Sequence, residues 1–185
     1  TWELLALTRA RVVWASTPDF AEAAGKLIEG ALRRPRDRER TAKDVRAMRS
    51  LLERERPAKD FWDMKLSRGG LVDVEFAAQF LQLVHAAEGG PLRPHTATAL
   101  GAFREAGLEP AEPLVALEDA WRLQQNITQL TKVALEEGAD PSQEPTAFRK
   151  LLARAAGEAD FKAVRPRLDA ARKAARAAFE RLLKP

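Results

Sequence analysis

From about Leu71 to Ala87 the chain is apolar nearly all the way round, and no other stretch narrows its possible folds as much. A helix of this kind has no face to offer to water, so it has to be packed on several sides and the other elements have to surround it. Its few polar residues are ordered. Glu75, Gln79 and Gln82 fall at i, i+4 and i+7 and form one stripe down the rod, whereas Asp73 points elsewhere in the first turn. A carboxylate buried there without a partner is costly. Glu75 therefore reads either as an ion pair to an arginine of a neighbouring helix or as a functional group, and Asp73 either as a helix cap or as a functional group.

The surrounding segments carry helical spacing as well. Leu4, Leu7, Ala10 or Arg11, and Trp14, widened by Trp2 and Val13, predict one helix up to about Ala15. Thr17-Pro18 starts a second, with an apolar stripe of Phe20, Ala24, Leu27, Ile28 and Ala31 that ends at Arg34-Pro35. Thr41 with Asp44 has the form of a capping box for a third, buried through Val45, Met48, Leu51 and Leu52 and stopped by Pro57. Beyond the rod, Gly89-Gly90-Pro91 breaks the chain, and a helix from about Pro94 to Ala106 turns Ala97, Leu100 and Phe103 inward before Gly107 stops it. Pro113 opens a long helix to about Glu137, with Leu117, Ala120, Trp121, Leu123, Ile127, Leu130 and Ala134 inward. Its amide-rich face is made by Gln124, Gln125, Asn126, Thr128, Gln129 and Thr131. Pro145 begins a helix carrying Phe148, Leu151, Leu152 and Ala155. In the last segment, with Phe161, Val164, Leu168, Ala171, Ala175, Ala178 and Leu182 at three-and-four spacing, Pro166 is expected to separate a short piece from a longer terminal helix. Arg165, Arg167, Arg172, Lys173, Arg176 and Arg181 make its outer face locally basic. No segment alternates with period two. The expected fold is all-α, a bundle of seven or eight helices, largely antiparallel, forming a single helical domain over residues 1–185.

Composition removes several function classes. There is no Cys, which excludes disulfides and thiolate zinc sites and points to a cytoplasmic location. No apolar run approaches the roughly 20 residues of a membrane span, and no signal peptide opens the chain. The net charge of +4 comes from 31 basic and 27 acidic residues interleaved along helices without a continuous basic tract, which argues against nucleic acid. His85 and His95 have no acidic pair at ligand spacing, so no metal site is expected. The first residues read as a helix already under way and lack an initiator Met, which suggests an excised fragment.

The loop that feeds the rod is the densest cluster of chemical groups. Lys65 and Arg68 flank Leu66-Ser67, and Gly69-Gly70 closes the loop at the helix start. Glycines permit positive φ and close approach of backbone N–H groups, and a helix N-terminus favours anions, so the arrangement suits an anion. It equally suits a sharp turn solvated by its charges.

The pattern Asp63-x-Lys65-x-x-x-Gly69-Gly70-x-x-Asp73-x-Glu75-Phe76, with Gln79 three residues on, resembles a signature of the glutamine synthetase adenylyltransferase family, also called adenylyl-removing enzyme. The opening Trp2-Glu3-x-x-Ala6-Leu7-x-Arg9-Ala10-Arg11-Val12-Val13 resembles the segment that follows the nucleotidyltransferase core there; the remainder matches only in helical character and length. The resemblance implies a helical domain in a two-halved enzyme, one half transferring AMP from ATP to a tyrosine of glutamine synthetase and the other removing it by phosphorolysis. Val72-Asp73, where the removing half tends to have Arg-Glu, points to the adenylylating, C-terminal half.

The family's Gly-Ser loop and strand-borne Asp-x-Asp, which hold Mg²⁺ and the triphosphate, are absent from this chain and are expected upstream of it. Asp73 and Glu75 share the i, i+2 spacing but lie on different helix faces and do not replace that pair. No catalytic residue and no cofactor are therefore expected within the chain, which should be inactive alone; ATP and Mg²⁺ belong to the parent enzyme. The resemblance gives Lys65, Arg68, Gly69 and Gly70 the role of nucleotide or phosphate contacts. Asp63, Asp73 and Glu75 would orient the loop or form core ion pairs, and Arg9, favoured over Arg11, would face the nucleotide site. The implied partners are the upstream core, glutamine synthetase and a PII signal protein. The alternative is a purely regulatory or docking module that binds PII or glutamine synthetase through the amide-rich face or the basic last helix, with no nucleotide contact. A third reading, an unrelated nucleic-acid binder, predicts salt-sensitive binding to duplex DNA.

Overall fold

The computed structural model describes residues 1–136 and 138–184. Among them are eight α-helices and no strand: α1 Trp2–Leu7, α2 Pro18–Leu32, α3 Arg38–Glu55, α4 Leu71–His85, α5 Thr96–Ala106, α6 Ala111–Ala134, α7 Thr146–Ala155 and α8 Phe161–Leu182. A 3₁₀ turn, Ala86–Glu88, extends α4. The all-α bundle predicted from helical spacing is the architecture found.

The apolar rod is the centre of the bundle. Twelve of the fifteen residues of α4 are buried, and it packs against α1, α3, α5, α6 and α8. Phe80 and Leu81 are fully enclosed, each side chain contributing about 1.5–3 kcal/mol on leaving water. The longest helix, α6, lies along α8 and also meets α4, α5 and α7, so α4, α6 and α8 enclose most of the core.

Several local expectations are corrected. The first helix ends at Leu7, not near Ala15: the Thr8 hydroxyl donates to Leu5 O and the Arg9 N–H to Ala6 O, which tightens and closes the turn. Beyond it the β-branched pair Val12-Val13 and Trp14 stand exposed with no partner face to reward helix formation. The stripe of α2 is only half covered, because Phe20 and Leu27 are exposed while Ala24, Ile28 and Ala31 are half-buried. Asp37, rather than Thr41, caps α3, its carboxylate accepting the Arg40 N–H at 2.6 Å; Thr41 sits inside the helix and donates to Asp37 O. Pro166 does not divide α8. It lies near the N-terminal end of a helix capped by Asp160, where one backbone bond is lost, and buried Val164 and Leu168 hold the chain on both sides of it. The α6 helix ends at Ala134, and its anticipated end at Glu137 lies outside the described residues.

Candidate functional site

The loop between α3 and α4 is held from within by two buried guanidinium groups. Arg172 of α8 donates to Phe61 O at 2.9 Å and to Asp63 O at 3.2 Å, and Arg49 of α3 donates to Leu66 O at 3.0 Å and Ser67 O at 3.3 Å. Gln124 of α6 adds a bond to Gly69 O at 3.0 Å. At the junction with α4, Asp73 is completely buried and accepts from Arg49 Nε, from the Gly69 N–H and from Arg176 Nη1 at 3.3 Å. Glu53 bridges to Arg176 at 2.8 Å and completes a network shared by α3, α4 and α8. Burial lowers the pKa of Arg172, with Asp169, Asp63 and Asp60 opposing the shift.

The glycine pair has a packing reason. Gly69 has φ +74°, and a Cβ there would lie 1.9 Å from Arg172 O; one on Gly70 would lie 2.7 Å from Ser67 O. The backbone amides at the start of α4 are committed as well: Leu71 N–H donates to Met64 O and Val72 N–H to Lys65 O, while Asp63 accepts from the Lys65 and Leu66 amides. The anion cradle of backbone amides anticipated at this helix start is therefore filled by the loop's own carbonyls. What remains open is side-chain charge.

The two loop cations face different partners. Arg68, exposed, lies 3.7 Å from Glu180 of α8. Lys65, also exposed, acts electrostatically on Glu75, which is paired with Arg9 at 3.3 Å. Burial pushes the Glu75 carboxyl above its ordinary range, and Arg9 and Lys65 pull it back only in part. Arg9, Lys65 and Glu75 thus form one charged group on the first turn of α4, drawn from three separate segments. Arg9 also lines a recess of about 400 Å³ together with Arg11, His95, Trp121, Gln125 and Gln129.

Of the motif's three acidic residues, Asp63 accepts from backbone amides of its own loop, and neither Asp73 nor Glu75 is available to a metal. Asp73 is spent on two guanidinium groups and an amide, and Glu75 on Arg9; among the described residues no cluster of three or more His, Asp or Glu side chains is placed to hold an ion.

Four residues that shape the site were read from the sequence as surface or passed over. Arg49 and Arg172 are buried, Arg176 is largely covered, and Gln124 is fully enclosed between Gly69 and Arg172. The outer face of α8 is accordingly less basic than its sequence suggests: Arg167 pairs with Asp119, Arg181 with Glu112, and Arg165 stacks on Phe61. On the amide-rich face, Thr128 and Thr131 return their hydroxyls to their own helix and Asn126 reaches Ala155 O. The i, i+4 and i+8 positions Trp121, Gln125 and Gln129, all on one side of α6, were the available signal for the recess.

A model of the GlnD PII-uridylyltransferase family matches residues 45–183, from within α3 to just past the end of α8. The chain belongs to that family. Among named members, a bifunctional glutamine synthetase adenylyltransferase/adenylyl-removing enzyme of Caulobacter vibrioides is 61% identical over 184 residues, which is 100% of this chain and 19% of that protein. Enzymes of the same name from Rhodopseudomonas palustris and a Bradyrhizobium species are 38% and 39% identical over 184 residues, covering 99% of this chain and 18% and 19% of theirs. The chain thus corresponds to a helical segment of these family members and spans about a fifth of their length. No helix among the described residues is long and apolar enough to cross a membrane.

Proposed function

We propose that this chain is the helical domain that follows the nucleotidyltransferase core in the adenylylating half of a glutamine synthetase adenylyltransferase, and that it completes the nucleotide cleft of that core. The reading is carried by the charged group on the first turn of α4: two solvent-accessible cations, Lys65 and Arg9, flank a half-buried carboxylate, Glu75, on the most deeply buried helix of the bundle. In the transfer of AMP from ATP to a tyrosine hydroxyl, negative charge accumulates on the departing pyrophosphate, and cations fixed in advance stabilise it without reorganisation. Lys65 is the residue placed to contact nucleotide phosphate, Glu75 holds Arg9 beside it, and Arg68 extends the positive edge toward α8. Gly69, Gly70, Asp63 and Asp73 act one step back by fixing the loop. ATP and Mg²⁺ are held by the core, which is where the transfer chemistry lies. Asp73 supports assignment to the adenylylating half, since its carboxylate is the centre around which the loop is built.

The test is Lys65→Ala in the full-length enzyme. The expected result is a KM for ATP raised about tenfold or more with an unchanged far-UV spectrum; unchanged KM and kcat remove Lys65 from the site.

A docking role for the same domain is favoured by Trp14, Phe20 and Leu27, large apolar side chains that stand mostly exposed. Retention of PII or glutamine synthetase by the full-length protein without nucleotide, lost on Phe20→Ser with Leu27→Ser, supports this role. Retention indifferent to both substitutions excludes that face.

A further inference from the structure

The recess between the end of α1, the start of α5 and α6 is lined by no carboxylate among the described residues, and Arg9, Arg11 and Trp121 contribute groups that only donate. Arg9 and Arg11 supply two guanidinium groups. Thr96–Ala106 begins there with His95 at its N-cap and no side chain capping its first amides, so an eleven-residue helix presents the positive end of its dipole to the same space. Gln125 and Gln129, one turn apart, carry amides that bond to no other described residue, and Arg11 has no acidic partner. Trp121 makes the independent point. Its side chain is 8% exposed, yet its indole N–H has no acceptor among the described residues. The indole nitrogen is not among the described buried atoms that lack a partner, so it is open to the recess, where it can only donate. Among the enclosed side-chain amides, Gln124 serves Gly69 and Gln82 accepts the Arg93 N–H.

We infer that this recess binds a small organic anion through a carboxylate or phosphate group, with Arg11 and the Trp121 N–H as its principal contacts. The Arg11 guanidinium, an uncapped helix start and an open indole donor in one concavity complement an oxyanion, while Arg9, already paired with Glu75, adds positive charge at its edge. Its volume of about 400 Å³ accommodates a metabolite rather than a bare ion. Arg9, shared between the recess and Glu75, links this site to the first turn of α4. The assignment does not rest on the transfer reading, because Lys65 takes no part in the recess.

The full-length protein, labelled with 5-fluorotryptophan, provides the test. The Trp121 fluorine resonance is identified by its loss in Trp121→Phe, and inorganic phosphate or succinate is titrated at constant ionic strength. The expected result is a saturable shift of that resonance with at least one anion, weakened about tenfold or more in Arg11→Ala and less in Arg11→Lys. Saturation by phosphate alone assigns a phosphate head group, and by succinate alone a carboxylate. No saturable shift with either anion, or the same titration curve in Arg11→Ala, overturns the proposal. Arg11 is exposed, so its replacement leaves the fold intact, and Lys65→Ala should bind both probes as the parent does.

Discussion

Replacing Asp73 by Ala isolates the network that holds the loop. The carboxylate is completely buried and serves three donors: Arg49, itself 1% exposed, the Gly69 amide, and Arg176. Its loss leaves a guanidinium deep in the core whose Nη1 already lacks a hydrogen bond, and strands a buried amide. An uncompensated buried charge costs about 3–5 kcal/mol, and an orphaned amide about 1–3 kcal/mol more. Arg49 retains Leu66 O, Ser67 O and, at 3.4 Å, Glu53, so the lower part of the combined range applies, about 4–5 kcal/mol in total. Urea denaturation of the chain, followed by far-UV circular dichroism, reads this directly. The double variant Asp73→Leu with Arg49→Met should recover much of the loss, since neither charge is then buried alone. A loss below about 1 kcal/mol for Asp73→Ala, in the range of exposed pairs, would refute the reasoning.

Gly69→Ala should destabilise by several kcal/mol, because the added methyl meets Arg172 O at 1.9 Å in a backbone with φ +74°, whereas Gly30→Ala in α2, with open space around it, should stabilise by roughly 0.5–1 kcal/mol; denaturation midpoints of both variants decide. For Glu109, burial alone would raise the carboxyl, but hydrogen bonds from His85 and Arg38 outweigh it and hold the pKa below the ordinary glutamate range. A folded pKa below the unfolded one contributes stability that is present above the unfolded value and lost as pH falls through the folded one. Glu109→Gln should therefore flatten the acid limb of the stability profile in that window, and an unchanged limb refutes the pairing.

The central helix was legible in the sequence because all-round apolarity admits one solution, and its neighbours because three-and-four spacing survives in each. The network was not. Arg49 and Arg172 sit on amphipathic helices whose charged positions read as solvated, and what buries them is loop 61–70, which lies 17 residues from Arg49 and 111 from Arg172 at the nearest and farthest bonds. The end of α1 was misjudged for a related reason. Periodicity around Trp14 marks an apolar face, but a helix forms only where something packs against it. For Glu75 the sequence leaves an ion pair to a neighbouring helix and a functional role both open; its partner is Arg9, which stands just after α1 and also borders the recess.

The clamp on the motif loop has a consequence for biosynthesis. Its carbonyls at Phe61 and Asp63 wait for a side chain 111 and 109 residues later, and Asp73 meets Arg176 only across 103 residues. On the ribosome, where residues emerge in order, the bonds to the bend from Arg49 and those to its own carbonyls come first, and those from α8 form only after that helix has been translated. A chain that stops short of α8 therefore lacks the bonds from Arg172 to the bend and from Arg176 to Asp73.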